Sequence, residues 1–400
     1  MAHTKTVTRV STQVGIVGAG PAGLLLAHLL HLRGIESVVL EARSRDYVEN
    51  RLRAGVLEQG TADLLTATGL GERMRRQGLV HDGIFLRFAG RSHRIDFREL
   101  TGKAILVYGQ HEVVRDLVAA RLAYGGPLRF DVDGVRVEGL TSHRPTIRFR
   151  DASREEVELT CDFIAGCDGF HGVCRPSIPP SAIHFFEREF PFAWLGILAE
   201  APPSSTELVY AHHERGFALL SMRSPTVSRL YLQCAPNEDL GDWSDDRIWS
   251  ELRTRLATRD GFALKDGPIL QRGITPMRGF VAEPMRFGRL FLAGDAAHIV
   301  PPTGAKGLNL AVADVQWLAE ALGAFFRSGD ETLLEQYSAR CLQRVWKAER
   351  FSSWMTAMLH RVTGQSDYDY RVQLAELDYI ASSKSAQATL AENYVGLPFS

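Results

Sequence analysis

The stretch that decides the fold is Val14-Gly15-Ile16-Val17-Gly18-Ala19-Gly20-Pro21-Ala22-Gly23. Its first four residues form a short apolar run with β-branched side chains, which predicts a buried strand. The Leu-rich segment 24–32 predicts a helix that Gly34 ends, and Ser37–Leu40 predicts a second strand. Strand, glycine-rich turn, helix and strand in this order are typical of a dinucleotide-binding unit.

The three glycines of the turn have different expected tasks. Gly18 permits the tight turn, Gly20 lets a pyrophosphate approach the backbone, and Gly23 lets the helix pack closely on the strand. The phosphates would meet free N–H groups at the start of the helix. Glu41, after the second strand, lies where an acid accepts hydrogen bonds from a ribose diol. These residues predict a bound dinucleotide and leave NAD and FAD equally open.

Composition and charge argue against several classes of function. The 400 residues carry 46 basic and 47 acidic side chains, and a net charge of -1 gives no field for nucleic acid or an anionic membrane. Five cysteines without paired spacing predict reduced thiols, and no Cys/His cluster has the spacing of zinc ligands. No apolar run is long enough to cross a membrane. We therefore expect a cytoplasmic protein without a metal site.

The first ten residues are polar and mildly basic. They contain no apolar segment of the kind that a secretory signal needs. We expect residues 1–10 to form a flexible extension ahead of the first strand.

A dense basic patch follows the glycine-rich unit. The segment 43–53 carries four arginines and Tyr47. One interpretation is a solvated basic loop. The other is phosphate binding by Arg51 and Arg53, because guanidinium groups pair bidentately with phosphate oxygens. His81 is an isolated histidine further along, and its role is either structural or functional.

Two later strands end at a glycine and an aspartate. Cys161–Cys167 leads into Asp168-Gly169, and Gly288–Ala293 leads into Gly294-Asp295. Open α/β sheets bind ligands outside the carboxyl ends of their strands. The segment 301–309 then opens a helix whose first turn offers N–H donors and partial positive charge. That segment is either an ordinary helix start or the edge of a flavin site.

The segment 183–275 has aromatic-rich strands and few helices, which indicates an inserted β-rich domain. Within it, 217–223 and 229–234 predict a hairpin. Because side chains alternate along a strand, Ser221 and Arg223 share one face, and Arg229 and Tyr231 share a face on the second strand. This polar face either lies in water or lines a cavity where it holds a carboxylate.

Three motifs coincide in this chain: the glycine-rich turn with Glu41, Cys167-Asp168-Gly169, and Gly294-Asp295. Together they resemble the class A, single-component FAD-dependent aromatic hydroxylases. Further stretches, spread over nearly the whole chain beyond residue 10, carry the same resemblance: 53–60, 108–110, 164–172, 288–309, 346–352 and 391–398.

The fold expected from pattern and resemblance is mixed α/β. A Rossmann-like FAD-binding domain comprises residues 11–182 and 276–350. The inserted β-rich substrate domain comprises residues 183–275. A C-terminal helical region, 351–400, follows, and we expect a homodimer.

At the substrate, the resemblance implies a carboxylate clamp and a proton relay. Ser221, Arg223 and Tyr231 match the positions that bind the substrate carboxylate. The positions that match catalytic residues are Tyr210, which hydrogen-bonds the phenol and favours phenolate, its partner Tyr394, His81 at the solvent end of the relay, and Pro302, whose carbonyl lies near the reacting hydroxyl.

At the cofactor, the resemblance implies FAD, with Gly18, Gly20 and Gly23 at its phosphates and Glu41 at its ribose. The other positions that match flavin contacts, or residues that influence the flavin, are Arg53, Gln110, Asp168, Arg229, Asp295, Lys306, Leu308 and Asn309.

The resemblance also implies a nicotinamide co-substrate. Arg43, Tyr47, Arg51 and His171 match the region implicated in NADPH recognition. The sequence departs from the family pattern here, because Ala42-Arg43 follows Glu41 where NADPH-specific relatives typically carry Arg-Gln. NADPH is the expected reductant, and NADH stays open.

The implied activity is hydroxylation of 4-hydroxybenzoate at ring carbon 3, giving 3,4-dihydroxybenzoate with NAD(P)H and O2 as co-substrates. The family reaction passes through a flavin C4a-hydroperoxide, whose electrophilic oxygen requires an electron-rich ring. A relay that removes the phenolic proton supplies such a ring. Two alternatives remain: a hydroxylase of another para-substituted benzoate, such as 4-aminobenzoate, and a non-catalytic flavoprotein that binds an aromatic acid.

Overall fold

The computed structural model describes residues 7–51, 53 and 55–399. Residues 1–6 of the expected extension lie outside this part of the chain, as do positions 52, 54 and 400. The extension is wrong at residues 8–10, which belong to the first strand. These residues pair with a neighbouring strand from Val157 onward, and hydropathy alone does not distinguish such an exposed strand end from a tail.

The strands, in chain order, are β1 Thr8–Val17, β2 Ser37–Leu40, β3 Val56–Leu57, β4 Leu79–His81, β5 Gly83–Phe88, β6 Arg91–Asp96, β7 Ile105–Val107, β8 Leu128–Arg129, β9 Asp133–Glu138, β10 Thr146–Arg150, β11 Glu156–Gly166, β12 His184–Ala199, β13 Leu208–Ala211, β14 Ala218–Met222, β15 Ser228–Cys234, β16 Ile269–Glu283, β17 Arg286–Phe287, β18 Leu290–Leu292 and β19 His298–Ile299.

The α-helices are α1 Pro21–His31, α2 Arg45–Asn50, α3 Gln59–Ala67, α4 Gly71–Gln77, α5 Phe97–Thr101, α6 Gln110–Ala123, α7 Asp245–Leu256, α8 Gly307–Ser328, α9 Thr332–Leu359, α10 Asp367–Ser382 and α11 Lys384–Val395. In the described chain, no helix is both long and apolar enough to cross a bilayer.

The first sheet has eight strands in the order β17-β18-β11-β1-β2-β8, and β10 and β9 extend it from β11. Its central strands β18, β11, β1, β2 and β8 are parallel. The consecutive residues Ile16 and Val17 point to opposite faces of β1, and both are buried, as expected for a parallel sheet that is covered on both sides. This arrangement confirms the predicted Rossmann-like unit.

The second sheet has eight strands in the order β19-β16-β12-β15-β14-β13-β5-β6. One face packs on α7 through leucines such as Leu220 and Leu230. The opposite face packs on α9, α10 and α11. The C-terminal helices therefore cover the face on which the predicted hairpin carries Ser221 and Tyr231.

Sheet membership differs from the predicted domain division at several places. The end of β16, residues 276–283, and β19 fall within the predicted FAD-binding domain, yet both belong to the second sheet. The hairpin β5–β6 lies inside the predicted first domain, yet β5 pairs in parallel with β13 of the second sheet. The sequence of a hairpin does not indicate its distant partner, and Ile84 pairs here with Leu208. The remaining domain boundaries stay predictions.

A third, small sheet has the order β3-β7-β4. Val56 of β3 and His81 of β4 both pair with residues of the central strand, β7. All five cysteines, each within the described residues, are buried and unpaired.

Candidate active site

The glycine-rich turn forms an open cradle at the start of α1. Gly18 has a φ of 104°, and a Cβ there would stand 2.3 Å from the carbonyl oxygen of Cys167. Gly20 precedes α1 without a side-chain cap, and a Cβ there would meet no atom within 4 Å. The backbone at the start of α1 is therefore open to a ligand, an arrangement that suits a diphosphate.

Glu41 is fixed beside this cradle. One carboxylate oxygen accepts a hydrogen bond from the backbone N–H of Ala19 at 2.8 Å, and the other accepts one from Arg43 N–H at 2.8 Å. Each oxygen keeps a further lone pair for a ligand donor. Glu41 thus joins the glycine-rich turn to the basic patch and keeps the capacity to accept from a ribose diol.

The turn Gly294–Ala296 lies beside the basic patch. The Arg53 guanidinium and the Asp295 carboxylate are 3.4 Å apart. Helix α8 begins directly after Lys306 without a side-chain cap, and a Cβ at Gly307 would meet no atom within 4 Å. The first turn of α8, which includes Leu308, thus offers a second set of backbone donors, and together with the cradle these residues fit a flavin dinucleotide.

Asn309 binds the small sheet to α8. Its side-chain oxygen accepts from Glu58 N–H at 2.9 Å, and its amide donates to the Val56 carbonyl at 3.0 Å. Gln110 begins α6 just after Tyr108, whose N–H donates to the Gly55 carbonyl at 2.8 Å. The segments that carry Gln110 and Asn309 therefore both contact the segment 55–58, and their contact with a flavin stays a prediction.

Asp168 holds its own loop. One oxygen accepts from the N–H groups of Val173 and Cys174 at 2.6 and 2.9 Å. The other oxygen is buried without a partner in the described chain, and burial raises the pKa of this carboxyl group. The structure gives Asp168 a loop-stabilising contact, and its contact with a cofactor stays a prediction.

A buried ionic network surrounds Lys306. Glu58 accepts from Lys306 at 2.7 Å and from Arg344 at 2.8 Å. The Lys306 ammonium also donates to the carbonyls of Asn393 and Tyr394, and burial lowers its pKa. Lys306 therefore fixes the end of α11 against the start of α8.

One row of side chains crosses the second sheet. Tyr210 on β13 pairs with Leu219 on β14, and Leu219 pairs with Tyr231 on β15. Directly paired residues share a face, so Tyr210 and Tyr231 lie on the face beneath the C-terminal helices. Ser221 pairs with Arg229 on the same face. The polar face of the hairpin therefore packs beneath the C-terminal helices, which favours the interior interpretation over the one in which it lies in water.

Arg223 is the cation at the end of this face. Its guanidinium donates to Ser221 Oγ at 3.2 Å and to the Met222 carbonyl at 2.9 Å. Burial lowers its pKa, and Tyr231 and Arg229 lie close enough to affect it. Within the described residues, no carboxylate forms an ion pair with Arg223. A half-buried guanidinium without an anion favours an anionic ligand.

Arg229 stacks on Tyr231, with its guanidinium carbon 5.2 Å from the ring centroid. Gly196 on β12 pairs with Tyr231, and a Cβ there would stand 2.8 Å from the Arg229 guanidinium. The glycine thus creates the space in which Arg229 lies.

Tyr210 and Tyr394 form the opposite end of the site. Their hydroxyl groups are hydrogen-bonded to each other, and burial raises the pKa of both. Phe97 stacks on Tyr394 with ring centroids 5.1 Å apart, and its N–H donates to the Asp82 carbonyl at 2.6 Å. These contacts connect Tyr394 to the residue after His81.

His81 is buried, and neither ring nitrogen has a hydrogen-bond partner among the residues that the structure describes. Burial lowers its pKa to about 4, so the ring is neutral near pH 7. Pro302 begins a short helical turn, and the next residue, Thr303, accepts from Thr356 at 2.8 Å. This contact anchors the Pro302 turn to α9.

The predicted nicotinamide residues form two groups beside the Gly294–Ala296 turn. The guanidinium carbons of Arg43 and Arg51 lie 5.5 and 5.6 Å from the centroid of the Tyr47 ring. The Asp295 carboxylate is close enough to Arg51 for the two charges to attract each other. His171 packs edge-on against Phe170, with ring centroids 5.0 Å apart. The second group is joined to the same turn, because the guanidinium of the nearby Arg175 donates to the carbonyls of residues 170 and 296.

Comparison with known proteins decides the family. The family model described as "FAD binding domain" matches residues 11–352. A p-hydroxybenzoate hydroxylase of Acinetobacter baylyi is 51% identical over 391 residues, which cover 98% of this chain and 96% of that protein. The chain belongs to the FAD-dependent aromatic hydroxylases. Its activity is therefore that of a flavin-dependent aromatic monooxygenase.

This aromatic hydroxylase has more distant relatives too. The 6-methylpretetramide 4-monooxygenase of Streptomyces rimosus is 27% identical over 379 residues, which cover 87% of this chain and 84% of that protein. The crystal structure of p-nitrophenol 4-monooxygenase from Pseudomonas putida DLL-E4 superposes with a TM-score of 0.83 at 20% identity, and covers 98% of this chain and 99% of that chain. At that identity the likeness concerns the fold, and it confirms the mixed α/β class.

The structure of the aromatic hydroxylase adds residues that sequence reasoning missed. Glu58 lies in the stretch 53–60 that carries the family resemblance, but its two cationic partners are 248 and 286 positions away. Arg278 stacks over Phe170 at 5.0 Å and adds a cation beside His171. Neither role has a local sequence signal, because both depend on distant pairing.

Proposed function

We propose that this aromatic hydroxylase converts 4-hydroxybenzoate to 3,4-dihydroxybenzoate with FAD, O2 and NADPH. One observation carries the proposal. One sheet face beneath the C-terminal helices carries the half-buried Arg223, a cation without a carboxylate partner in the described chain, and Tyr210, whose hydroxyl group is hydrogen-bonded to that of Tyr394 on α11. Tyr210 and Tyr231 lie two strand spacings apart, about 10 Å between backbones, and a benzoate with a para hydroxyl group suits such a span. The Acinetobacter relative bears the name of that activity.

At the carboxylate end, we assign Arg223, Ser221 and Tyr231 to the substrate. A guanidinium group binds a carboxylate through two parallel hydrogen bonds, and the two hydroxyl groups add neutral donors. Because Arg223 is already held by Ser221 and the Met222 carbonyl, little side-chain entropy is lost on binding. This clamp fixes the direction in which the ring points.

At the phenol end, Tyr210 would receive the phenolic proton through its hydrogen bond to the substrate. Since burial raises the pKa of both tyrosines, each stays protonated and relays by donating one proton while accepting another. Tyr394 passes the proton outward, and the neutral ring of His81 accepts it before solvent does. Removing this proton makes the ring electron-rich, as electrophilic hydroxylation requires.

The residues that would hold FAD are the cradle glycines, Glu41, Arg53, Asp295 and the first turn of α8. FAD, when bound, supplies the redox chemistry that activates O2. The chain would aim the substrate ring, and by the family resemblance the Pro302 carbonyl would lie near the reacting hydroxyl. It also excludes water, because Tyr210, Tyr394 and Phe351 are buried in one apolar cluster.

For the reductant, we propose NADPH at the surface formed by Arg43, Tyr47, Arg51 and His171. Two guanidinium groups on one tyrosine ring give a cationic surface for a phosphate group. Arg278 extends this surface beside His171.

Product analysis tests the proposal. The purified enzyme is supplied with 4-hydroxybenzoate, O2 and either NADPH or NADH, and then with 4-aminobenzoate in place of 4-hydroxybenzoate. We expect 3,4-dihydroxybenzoate in proportion to the NADPH consumed. Preferential hydroxylation of 4-aminobenzoate would favour the first alternative. NADPH consumption that yields only H2O2 would remove the hydroxylase proposal, and binding without consumption would favour a non-catalytic flavoprotein.

Two further predictions rest on the sequence and the enzyme class, namely a homodimer and a cytoplasmic location. Light scattering after size-exclusion chromatography tests the first, and fractionation of expressing cells tests the second.

A further inference from the structure

A buried histidine, His360, lies directly after α9. It packs against the face of the second sheet that carries Tyr210, Ser221 and Tyr231, here called the substrate face. Its Nδ1 is 2.9 Å from the carbonyl of Thr356, one turn earlier, and its Nε2 is 2.7 Å from the indole nitrogen of Trp194. The carbonyl and the indole N–H permit only one neutral tautomer, with the proton on Nδ1. Burial lowers the pKa of His360 to about 3, so the ring stays neutral near pH 7.

The same imidazole lies in an aromatic stack. Phe192 stacks on it at 4.6 Å between ring centroids, and Phe217 stacks on it at 4.3 Å. Trp194 stacks in turn on Phe217 at 5.2 Å. The position of His360 is therefore fixed by two hydrogen bonds and by contacts with the rings of Phe192, Phe217 and Trp194.

Two members of this stack contact the two ends of the substrate face. The ring centroids of Trp194 and Tyr231 are 4.8 Å apart, and Tyr231 belongs to the carboxylate end. The ring centroids of Phe217 and Tyr210 are 6.1 Å apart, and Tyr210 belongs to the phenol end. Because His360 contacts both Trp194 and Phe217, it supports both ends at once.

A third connection runs through Thr356. Its carbonyl accepts from His360, and its hydroxyl donates to Thr303 at 2.8 Å, next to Pro302. One helical turn of α9 thus joins the imidazole to the Pro302 turn.

We propose that His360 is a positioning residue that fixes the separation between the carboxylate-binding and phenol-binding ends of the site, and so favours benzoates that carry a para hydroxyl group. It acts through Trp194 and Phe217. The proposal rests on the proposed function, since it takes the two ends to be those that bind 4-hydroxybenzoate.

The test is equilibrium binding to the FAD-containing enzyme. His360→Phe keeps an aromatic ring in the stack and removes both hydrogen bonds, which leaves the buried Trp194 N–H without its acceptor. We expect the Kd of 4-hydroxybenzoate to rise about tenfold. The Kd of benzoate, which occupies only one end, should change by less than about threefold, within the range of a weak packing effect. His360→Gln, which keeps an acceptor and a donor, should restore much of the discrimination.

The matched control is His212→Phe. His212 is also buried, and its Nδ1 lies 3.1 Å from the Leu359 carbonyl at the same helix end. Its aromatic neighbour is Tyr370, at 5.6 Å, which is not a member of the Trp194 stack. Equal losses of affinity for benzoate and 4-hydroxybenzoate in His360→Phe, or the same loss of discrimination in His212→Phe, would overturn the proposal.

A double-mutant cycle keeps the test decisive if one variant misfolds. Trp194→Phe removes the indole donor from the other side of the bond, so it should show the same loss of discrimination and can stand in for His360→Phe. Where both fold, the double variant should lose less than the sum of the two single losses, and additive losses would overturn the proposal. If the wild-type enzyme hydroxylates 4-hydroxybenzoate but replacing His360 does not change the ratio of the Kd values for benzoate and 4-hydroxybenzoate, only the positioning role fails. If the wild-type enzyme neither binds nor hydroxylates it, the proposed function itself fails.

Discussion

Tyr210 on β13 and Tyr394 on α11 share a hydrogen bond between their hydroxyl groups, although 184 positions separate them in the sequence. Both rings are almost completely buried, and burial raises the pKa of both hydroxyl groups. The pair therefore stays protonated at neutral pH. It suits proton relay better than it suits a charged catalytic base.

Replacing Tyr394 by Phe interrupts this relay while keeping the ring. We expect hydroxylation to slow about a hundredfold, in the range of a lost acid–base group, and a larger share of the NADPH consumed to appear as H2O2. FAD content should be unchanged. Tyr337→Phe is the control, because Tyr337 is a buried tyrosine that donates to the Leu292 carbonyl at 2.8 Å, at the first sheet. Wild-type coupling in Tyr394→Phe would contradict the relay.

Replacing Arg223 by Ala removes the cation from the carboxylate end. We expect the Kd of 4-hydroxybenzoate to rise by about 10- to 100-fold, as for a lost hydrogen bond to a charged group. Binding of phenol, which lacks a carboxylate, should hardly change. Calorimetric titration of both ligands measures the difference. Arg215→Ala, which breaks an ion pair with Glu251, controls for general charge loss. An equal effect on both ligands would remove Arg223 from the carboxylate site.

Two glycines of the cradle should respond differently to Ala. At Gly20 a Cβ meets no protein atom within 4 Å, so Gly20→Ala should leave the stability of the apoprotein unchanged and weaken FAD binding. At Gly18 the φ of 104° and the Cys167 carbonyl at 2.3 Å predict that Ala destabilises the fold itself. The cost should be about 1–3 kcal/mol. Urea unfolding of the apoproteins, together with flavin titration, separates the two effects. Unchanged FAD affinity in Gly20→Ala would place the diphosphate elsewhere.

Stability should fall in acid because several histidines are buried and neutral. Burial lowers the pKa of His81 and His212 to about 4 and that of His360 to about 3. An unfolded histidine has a pKa of about 6.5, so below that pH the unfolded chain binds more protons than the native chain. The free energy of unfolding should therefore decrease by about 1.4 kcal/mol per pH unit for each such histidine, between about pH 6.5 and the folded pKa.

Urea titrations at pH 7, 6 and 5 measure this slope. His212→Gln, which keeps a polar side chain without a group that titrates there, should show a shallower decline than the wild-type protein. Identical slopes would mean that His212 is protonated in the folded state as readily as in the unfolded one.

The sequence predicted those parts of the fold and the site that depend on local order. The glycine-rich turn needs only its neighbours to form, and alternation along two strands placed Ser221 and Tyr231 on one face. The burial of that face depends on the C-terminal helices. The local sequence therefore could not decide whether the face lies in water or lines a cavity. Two further features join distant segments, namely the pairing of β5 with β13 and the contacts of Glu58 with Lys306 and Arg344. No local sequence pattern predicts either of them.

The contacts of Lys306 with the carbonyls of Asn393 and Tyr394 have a consequence for the order of synthesis. The flavin cradle, residues 14–41, leaves the ribosome first, whereas the proposed relay is completed only when α11 has been made. A nascent or shortened chain that ends before α11 would offer FAD a cradle without Tyr394. Such a chain would lack the proposed relay, so the proposed site is complete only after α11 has docked.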